Sequence, residues 1–157
     1  MDRVPVTTRG YARWTEQLKH LKEVERPENV KDIERAREHG DISENAEYHA
    51  AKEKQGMLMA HMRVLEDKIS RAQVVDPSTL SSDKIMFGAT VTLLDLDNDD
   101  EVIYQIVGED EADLKEGRIS ITSPLARGLV GRQVDDAVEV TTPRGSREYE
   151  VLAIDYK

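Results

Sequence analysis

The sequence contains no cysteine, which excludes disulfides, thiolate zinc centres and cysteine nucleophiles. Aromatic residues amount to 4% of the chain, with one Trp and one Phe, and this argues against a nucleic-acid surface built from stacked aromatic side chains. No apolar run approaches the length of a membrane span, and the opening residues lack a stretch of signal-peptide length, so a soluble, cytoplasmic protein is expected. Basic residues are also in deficit: 22 Lys and Arg stand against 32 Asp and Glu, for a net charge of −10. The deficit is uneven. Residues 1–75 carry 14 of each sign, and the remainder carries 8 basic against 18 acidic. A protein that grips nucleic acid over a broad face shows a basic surplus, so any such contact here must be local or made through a partner. What remains is 157 residues, 38% of them hydrophobic, enough for one large or two small domains around a modest core.

The first half has helical periodicity. Thr7 or Thr8 can cap a first helix, in which Tyr11, Trp14, Leu18 and Leu21 recur at steps of three and four as a heptad seam. Pro27 interrupts the phase and predicts a kink near Arg26–Pro27. Beyond it Val30, Ile33 and Ala36 are expected to face inward. A second helix is predicted from about Ser43 to Gln73, with Tyr48, Ala51, Gln55, Leu58, Met62, Leu65, Ile69 and Ala72 along its seam. It would be roughly 45 Å long. Small residues near the tip (Ala36, Ala50, Ala51) would let the helices approach closely. Met57, Met59 and Met62 read as core filling or exposed apolar surface. The four histidines, His20, His39, His49 and His61, are scattered without metal-ligand spacing.

Between the two helices lies Lys31–Gln55, KDIERAREHGDISENAEYHAAKEKQ. Gly40 stops the first helix and Asp41–Glu44 opens the second, which describes the tip of an antiparallel hairpin. Asp41 and Glu44, three residues apart, form a capping box: Asp41 accepts from the Glu44 N–H and Glu44 reaches back. Capping alone does not account for Ile42 at the most exposed point, for a third carboxylate at Glu47, or for Arg37, Lys52 and Lys54 on both flanks. An acidic end with basic residues behind it suits contact with another molecule.

The stretch Asp76–Ile85 reads as a linker. Period two follows: Ala89–Leu96 and Glu101–Val107 as a hairpin, Ile119–Thr122 as a third strand, and Val138–Thr141 paired with Glu148–Ile154. Glu109–Glu116 is a short polar helix or turn. Ser123 caps a short helix that has Pro124 at its first position and Gly128 or Gly131 at its end. Together these predict a small antiparallel sheet with one helix packed on it. The acidic clusters at Asp97–Glu101 and Glu109–Asp113 are solvated turns without EF-hand spacing.

The tip motif GDISENAEYHAA resembles that of the bacterial Gre transcript-cleavage factors, most closely the GreA type. The opening VPVTTRGYARWTEQLKHLK and the later ISITSPLARGLVGRQVDDAVEVTTPRGSREYEVL resemble the start and the C-terminal domain of that family, so the likeness covers nearly the whole chain. It implies an α+β multidomain protein: a coiled-coil hairpin over residues 1–75, a linker over 76–84 and an FKBP-like domain over 85–157. It also implies a monomeric factor that docks at the secondary channel of bacterial RNA polymerase and inserts its tip, so that the polymerase hydrolyses its own backtracked nascent RNA. The family's acidic pair maps onto Asp41 and Glu44, which would hold Mg²⁺ jointly with the polymerase and not in the free protein. Its basic patch maps onto Arg37 and Lys52, for contact with the RNA 3′ end, and its docking stretch onto Thr122, Ser123 and Pro124. Each of these has a plainer reading. Arg37 and Lys52 also suit surface charges paired with Glu34 or Glu38, and Ser123-Pro124 also suits a helix cap.

The chemistry is compatible with the acidic pair. In-line hydrolysis of RNA uses two divalent metals about 4 Å apart, and Mg²⁺ takes oxygen ligands while keeping several waters. Two carboxylates at the end of a rod would be a poor enzyme alone, so the factor is not expected to cleave RNA by itself. A departure follows Gln55-Gly56, where the family has an aromatic and then an acidic–glycine–arginine run. This chain has Met57-Leu58-Met59-Ala60-His61-Met62, with His61 at the arginine position. Two rivals share the architecture or part of it. One is an inhibitor that occupies the channel without stimulating cleavage. The other is a coiled-coil adaptor with prolyl isomerase activity, for which Phe87, Tyr104, Tyr149 and Tyr156 are too few to line a pocket.

Overall fold

The computed structural model describes residues 2–41 and 44–157. It divides into two compact units: Tyr11–Ala72 with Asp2, and Arg3–Gly10 with Gln73–Lys157.

The first unit is the expected hairpin. Helix α1 (Thr8–His20) leads into a π-helical turn at Leu21–Glu25, then α2 (Arg26–Arg37) and, across the tip, α3 (Ala46–Arg71). In the π turn the Arg26 N–H donates to Leu21 O, five residues back. The cause follows directly in the sequence. Pro27 has no N–H to give, and its ring crowds the carbonyl four residues earlier, so a regular α turn is penalised there. The extra residue in the wide turn delays the seam. Buried positions run Leu21, Asn29, Ile33 and Ala36, with Glu25 half-buried between the first two. Val30, expected inside, is 42% exposed; Asn29, four residues before Ile33, takes the inward place at 1%. Its Nδ2 donates to Ala51 O at 3.0 Å, while its buried Oδ1 has no partner among the described residues.

Helix α3 has 26 residues, about 39 Å at ~1.5 Å each. Ala51, Leu58, Met62 and Leu65 are its buried positions, as the seam predicts, with Tyr48, Gln55 and Ile69 half-buried beside them. Ala50 lies outside the seam and is exposed. Met57 and Met59 are surface residues, and Met62 is core. No helix among the described residues is long and apolar enough to cross a membrane.

The second unit begins at the N-terminus. Strand β1 (Val4–Thr7) pairs with β2 (Ala72–Val75) in a two-stranded sheet that the sequence pattern did not reveal. Four residues, one of them Pro5, are too few to establish a period. Thr7 Oγ1 accepts from the Gly10 N–H at 3.2 Å and so caps α1. Thr7 also donates from its N–H (3.0 Å) and from its hydroxyl to the buried Glu111 carboxylate, which takes a third bond from the Gly108 N–H at 2.9 Å. A Cβ at Gly10 would overlap that carboxylate. Residues 3–10 group with the C-terminal unit, where the sequence pattern placed them in a 1–75 hairpin. The 76–84 stretch is likewise partly built in: Pro77–Thr79 is a 3₁₀ turn capped by Asp76, with Pro77 buried.

The main sheet has the order β5–β4–β3–β7–β6, formed by Thr90–Asp95 (β3), Glu101–Val107 (β4), Arg118–Ser120 (β5), Ala137–Thr142 (β6) and Gly145–Asp155 (β7). Every predicted strand is present, but the sheet is mixed and not wholly antiparallel, because β5 pairs parallel with β4. The chain makes that crossover through 3₁₀ turns at Glu109–Glu111 and Leu114–Glu116. Strand β3 alternates strictly, burying Val91, Leu93 and Asp95. Helix α4 (Pro124–Leu129) covers the sheet with Ala126 and Leu129. Gly128 sits where a Cβ would lie 3.2 Å from Val138 Cγ1, so the helix backbone packs closely on β6.

Candidate functional site

The tip begins where α2 runs out of acceptors it can satisfy. Gly40 adopts φ +110°, a left-handed value that favours glycine, and its N–H donates to Arg37 O at 3.4 Å. Asp41 and Glu44 follow, both exposed. Ile42 and Ser43, expected at the extreme point and at the start of α3, lie outside the described residues.

The residue that caps α3 is Asn45, not Asp41. Its Oδ1 accepts from the Tyr48 N–H at 3.0 Å, and its Nδ2 donates to Ala36 O at 2.6 Å. The helix therefore starts at Ala46, later than predicted. The sequence pattern pointed to Asp41 as the cap of this helix, through its spacing to Glu44; Asn is as good a cap as Asp, and the later residue takes the role.

Two further contacts join α2 to α3 beside the tip, and the sequence spacing concealed both. His39 Nε2 lies 3.6 Å from Glu47 Oε2. The Arg37 guanidinium lies 5.9 Å from the centroid of the Tyr48 ring, a cation–π contact where pairing with Glu34 or Glu38 was the plainer expectation. Lys52 stands one turn beyond Tyr48 on α3, exposed, with its Nζ 2.8 Å from Gln55 Oε1. Arg37 thus reaches across to α3, and Tyr48 and Lys52 share a face of that helix through their i, i+4 spacing. His39, Asp41, Glu44, Asn45, Ala46 and Glu47 line one open depression of about 400 Å³. No group of three or more His, Asp or Glu able to hold a metal ion occurs among the described residues.

In the second unit, Thr122, Ser123 and Pro124 form the entry to α4. Ser123 Oγ accepts from the Ala126 N–H at 3.2 Å and donates to Ser120 O at 2.7 Å, so the predicted cap is made. Thr122 and Pro124 are exposed beside it. The other notable polar group is Asp95 at the end of β3. It is buried, with Oδ2 2.8 Å from Arg147 Nη1 and Oδ1 accepting from the Asp97 N–H. The hydrogen bond that Arg147 donates to Asp95 raises the Arg147 pKa above its usual value. Nearby, burial and then the Asp95 charge push the Tyr149 phenol up.

Comparison with known proteins covers the chain from end to end. Residues 4–74 match the family model described as transcription elongation factor, N-terminal, and residues 80–156 match transcription elongation factor, GreA/GreB, C-term. Transcription elongation factor GreA of Hyphomonas neptunium is 54% identical over 157 residues, 100% of each chain. The protein of that name from Methylobacterium sp. is 56% identical over 156 residues, 99% of each. Among solved structures, the GreA factor homolog 1 (Gfh1) protein of Thermus thermophilus is similar at 30% identity and a TM-score of 0.44, covering 97% of this chain and 98% of that one. With both halves matched in order and relatives this similar over their full length, the chain belongs to the GreA/GreB family of transcription elongation factors.

Proposed function

We propose that this elongation factor carries Asp41 and Glu44 into the active centre of bacterial RNA polymerase through its secondary channel, and thereby stimulates the polymerase to cleave backtracked nascent RNA. The observation that carries the reading is the division of labour at the tip. Asn45 caps α3, and the carboxylates of Asp41 and Glu44 stand exposed just ahead of that helix. Two carboxylates are hard oxygen donors suited to Mg²⁺ but too few to hold it alone, in keeping with a site the polymerase completes. Bound there, Mg²⁺ would supply the polarisation that lets water attack the RNA phosphodiester. Arg37 and Lys52, exposed near the tip, offer cations to the extruded RNA's phosphates. Thr122 and Pro124, presented by the Ser123 cap, suit the grip on the channel rim.

The alternative is an inhibitor that fills the channel. Asp41→Asn and Glu44→Gln separate the two readings. Each should leave polymerase binding and thermal stability near wild type, while cleavage in a stalled elongation complex falls steeply and recovers in part at high Mg²⁺ or Mn²⁺. A wild-type protein that binds the complex and shortens no RNA would establish the inhibitor instead.

A further inference from the structure

We propose that Asn45 is a positioning residue for transcript cleavage, fixing where the tip offers Asp41 and Glu44 by tying the end of α2 to the start of α3 through one carboxamide. The inference rests on the reading of those two carboxylates given above.

An N-cap needs only an acceptor, and Asp, Ser or Thr would serve as well as Asn. Asn45 does more. Its Oδ1 accepts from Tyr48 N–H at 3.0 Å while its Nδ2 donates at 2.6 Å to Ala36 O, one of the terminal carbonyls of α2. Of the good capping side chains, only a carboxamide carries an acceptor and a donor on separate atoms. The donor half is therefore not needed to cap α3. Ala36 is itself buried at 3% in the seam, so the bond is anchored at its far end to a residue that packing holds still. Asn45 is half-buried, and its two bonds are shielded in a way the neighbouring tip contacts are not. The side chains of His39 and Glu47 are 64% and 77% exposed, and an exposed pair of that kind constrains little.

The geometric consequence falls on the carboxylates. Glu44 is joined directly to Asn45, and Asp41 leaves Gly40 at the end of α2. With Ala36 and Asn45 pinned to each other, both ends of the segment bearing the two acids are fixed. Ligands that complete a metal site on another molecule must arrive in a narrow range of positions, and small misplacements are expensive in rate.

The test uses the full-length protein and two variants. Asn45→Asp keeps the acceptor and loses the donor. Asn45→Ser keeps a capping oxygen without adding charge and is too short to span to Ala36. Cleavage of backtracked RNA is followed in stalled elongation complexes at saturating factor and across a Mg²⁺ titration, and binding is measured by competition. Both variants are expected to bind as the wild type does and to melt within a few degrees of it. Their maximal cleavage rate should fall roughly tenfold to a hundredfold, with the half-maximal Mg²⁺ concentration shifted upward. Wild-type cleavage in both variants overturns the inference. So does a loss of rate accompanied by an equal loss of binding or by collapse of the fold, since Asn45 would then be structural only. Asp41→Asn, run in parallel, isolates the premise. If it too cleaves normally, the reading of the carboxylates has failed; if it alone is impaired, only the role of Asn45 has.

Discussion

The two units stabilise themselves in different ways. The C-terminal unit packs α4 against one face of a five-stranded sheet. Ile85, Val91, Leu93, Ile106, Leu129 and Val151 are completely buried in one cluster with α4. The hairpin has only a stripe of inward residues per helix, broken by Asn29, with Met57, Met59 and Val64 at least half or nearly half exposed. A two-helix seam cannot bury more, because each helix has one partner and most of its circumference faces water.

Core truncation gives the largest expected contrast. Leu93→Ala should cost about 3 kcal/mol through lost burial and the cavity left behind, while Met59→Ala on the hairpin surface should stay within about 0.5 kcal/mol. Urea unfolding of the two variants measures this, and equal losses would break the distinction.

Glu111→Gln probes the point where the N-terminal residues join the second unit. The amide keeps one oxygen, but turns an NH₂ toward donors on Thr7 or Gly108, leaving buried groups unmatched at a cost of about 2 kcal/mol. Hydrogen exchange should show the amides of Val6 and Thr7 losing protection before the main sheet does. Unchanged exchange there would mean that β1 is held by its strand pairing alone.

Asn29→Leu should act in the opposite direction. It removes a buried acceptor that has no partner and continues the apolar stripe, so the hairpin should gain about 1 kcal/mol. A loss of that size would show that the bond to Ala51 O stabilises more than the unpaired oxygen costs.

The smallest effect is alkaline. The folded state raises the Tyr149 pKa above its usual value of 10.0, chiefly by burial. The group's contribution is therefore complete below about pH 10 and is lost as pH rises through the higher folded value. Tyr149→Phe lacks that loss, so the stability difference between variant and wild type should be flat below this range and move in favour of Phe above it. A difference that stays flat throughout would remove Tyr149 from the account.

Much of this was legible beforehand, because it depends on period. Steps of three and four placed Trp14, Leu21, Ile33, Ala51, Leu58, Met62 and Leu65 inside, and strict alternation placed Val91 and Leu93 on the core face of β3. Gly40 and Ser123-Pro124 marked helix ends through backbone constraints that act within a few residues. Pro27 announced a disturbance in the helix, again for a local reason.

What the disturbance would be was decided elsewhere. A kink and a π turn both answer the missing N–H of Pro27, and the local sequence does not choose between them. That choice depends on what α3 presents opposite. The cap of α3 was placed too early: the pattern pointed to Asp41, whereas Asn45 caps the helix and also donates to the Ala36 carbonyl, nine residues away. Residues 3–10 were placed by Glu111, more than a hundred positions away, and the parallel pairing of β5 by a crossover with no periodic signal. Sequence pattern fixes which face of an element is apolar, since that follows from local geometry. Which partner satisfies a particular buried oxygen or nitrogen is a question of three-dimensional proximity, and only the folded chain answers it.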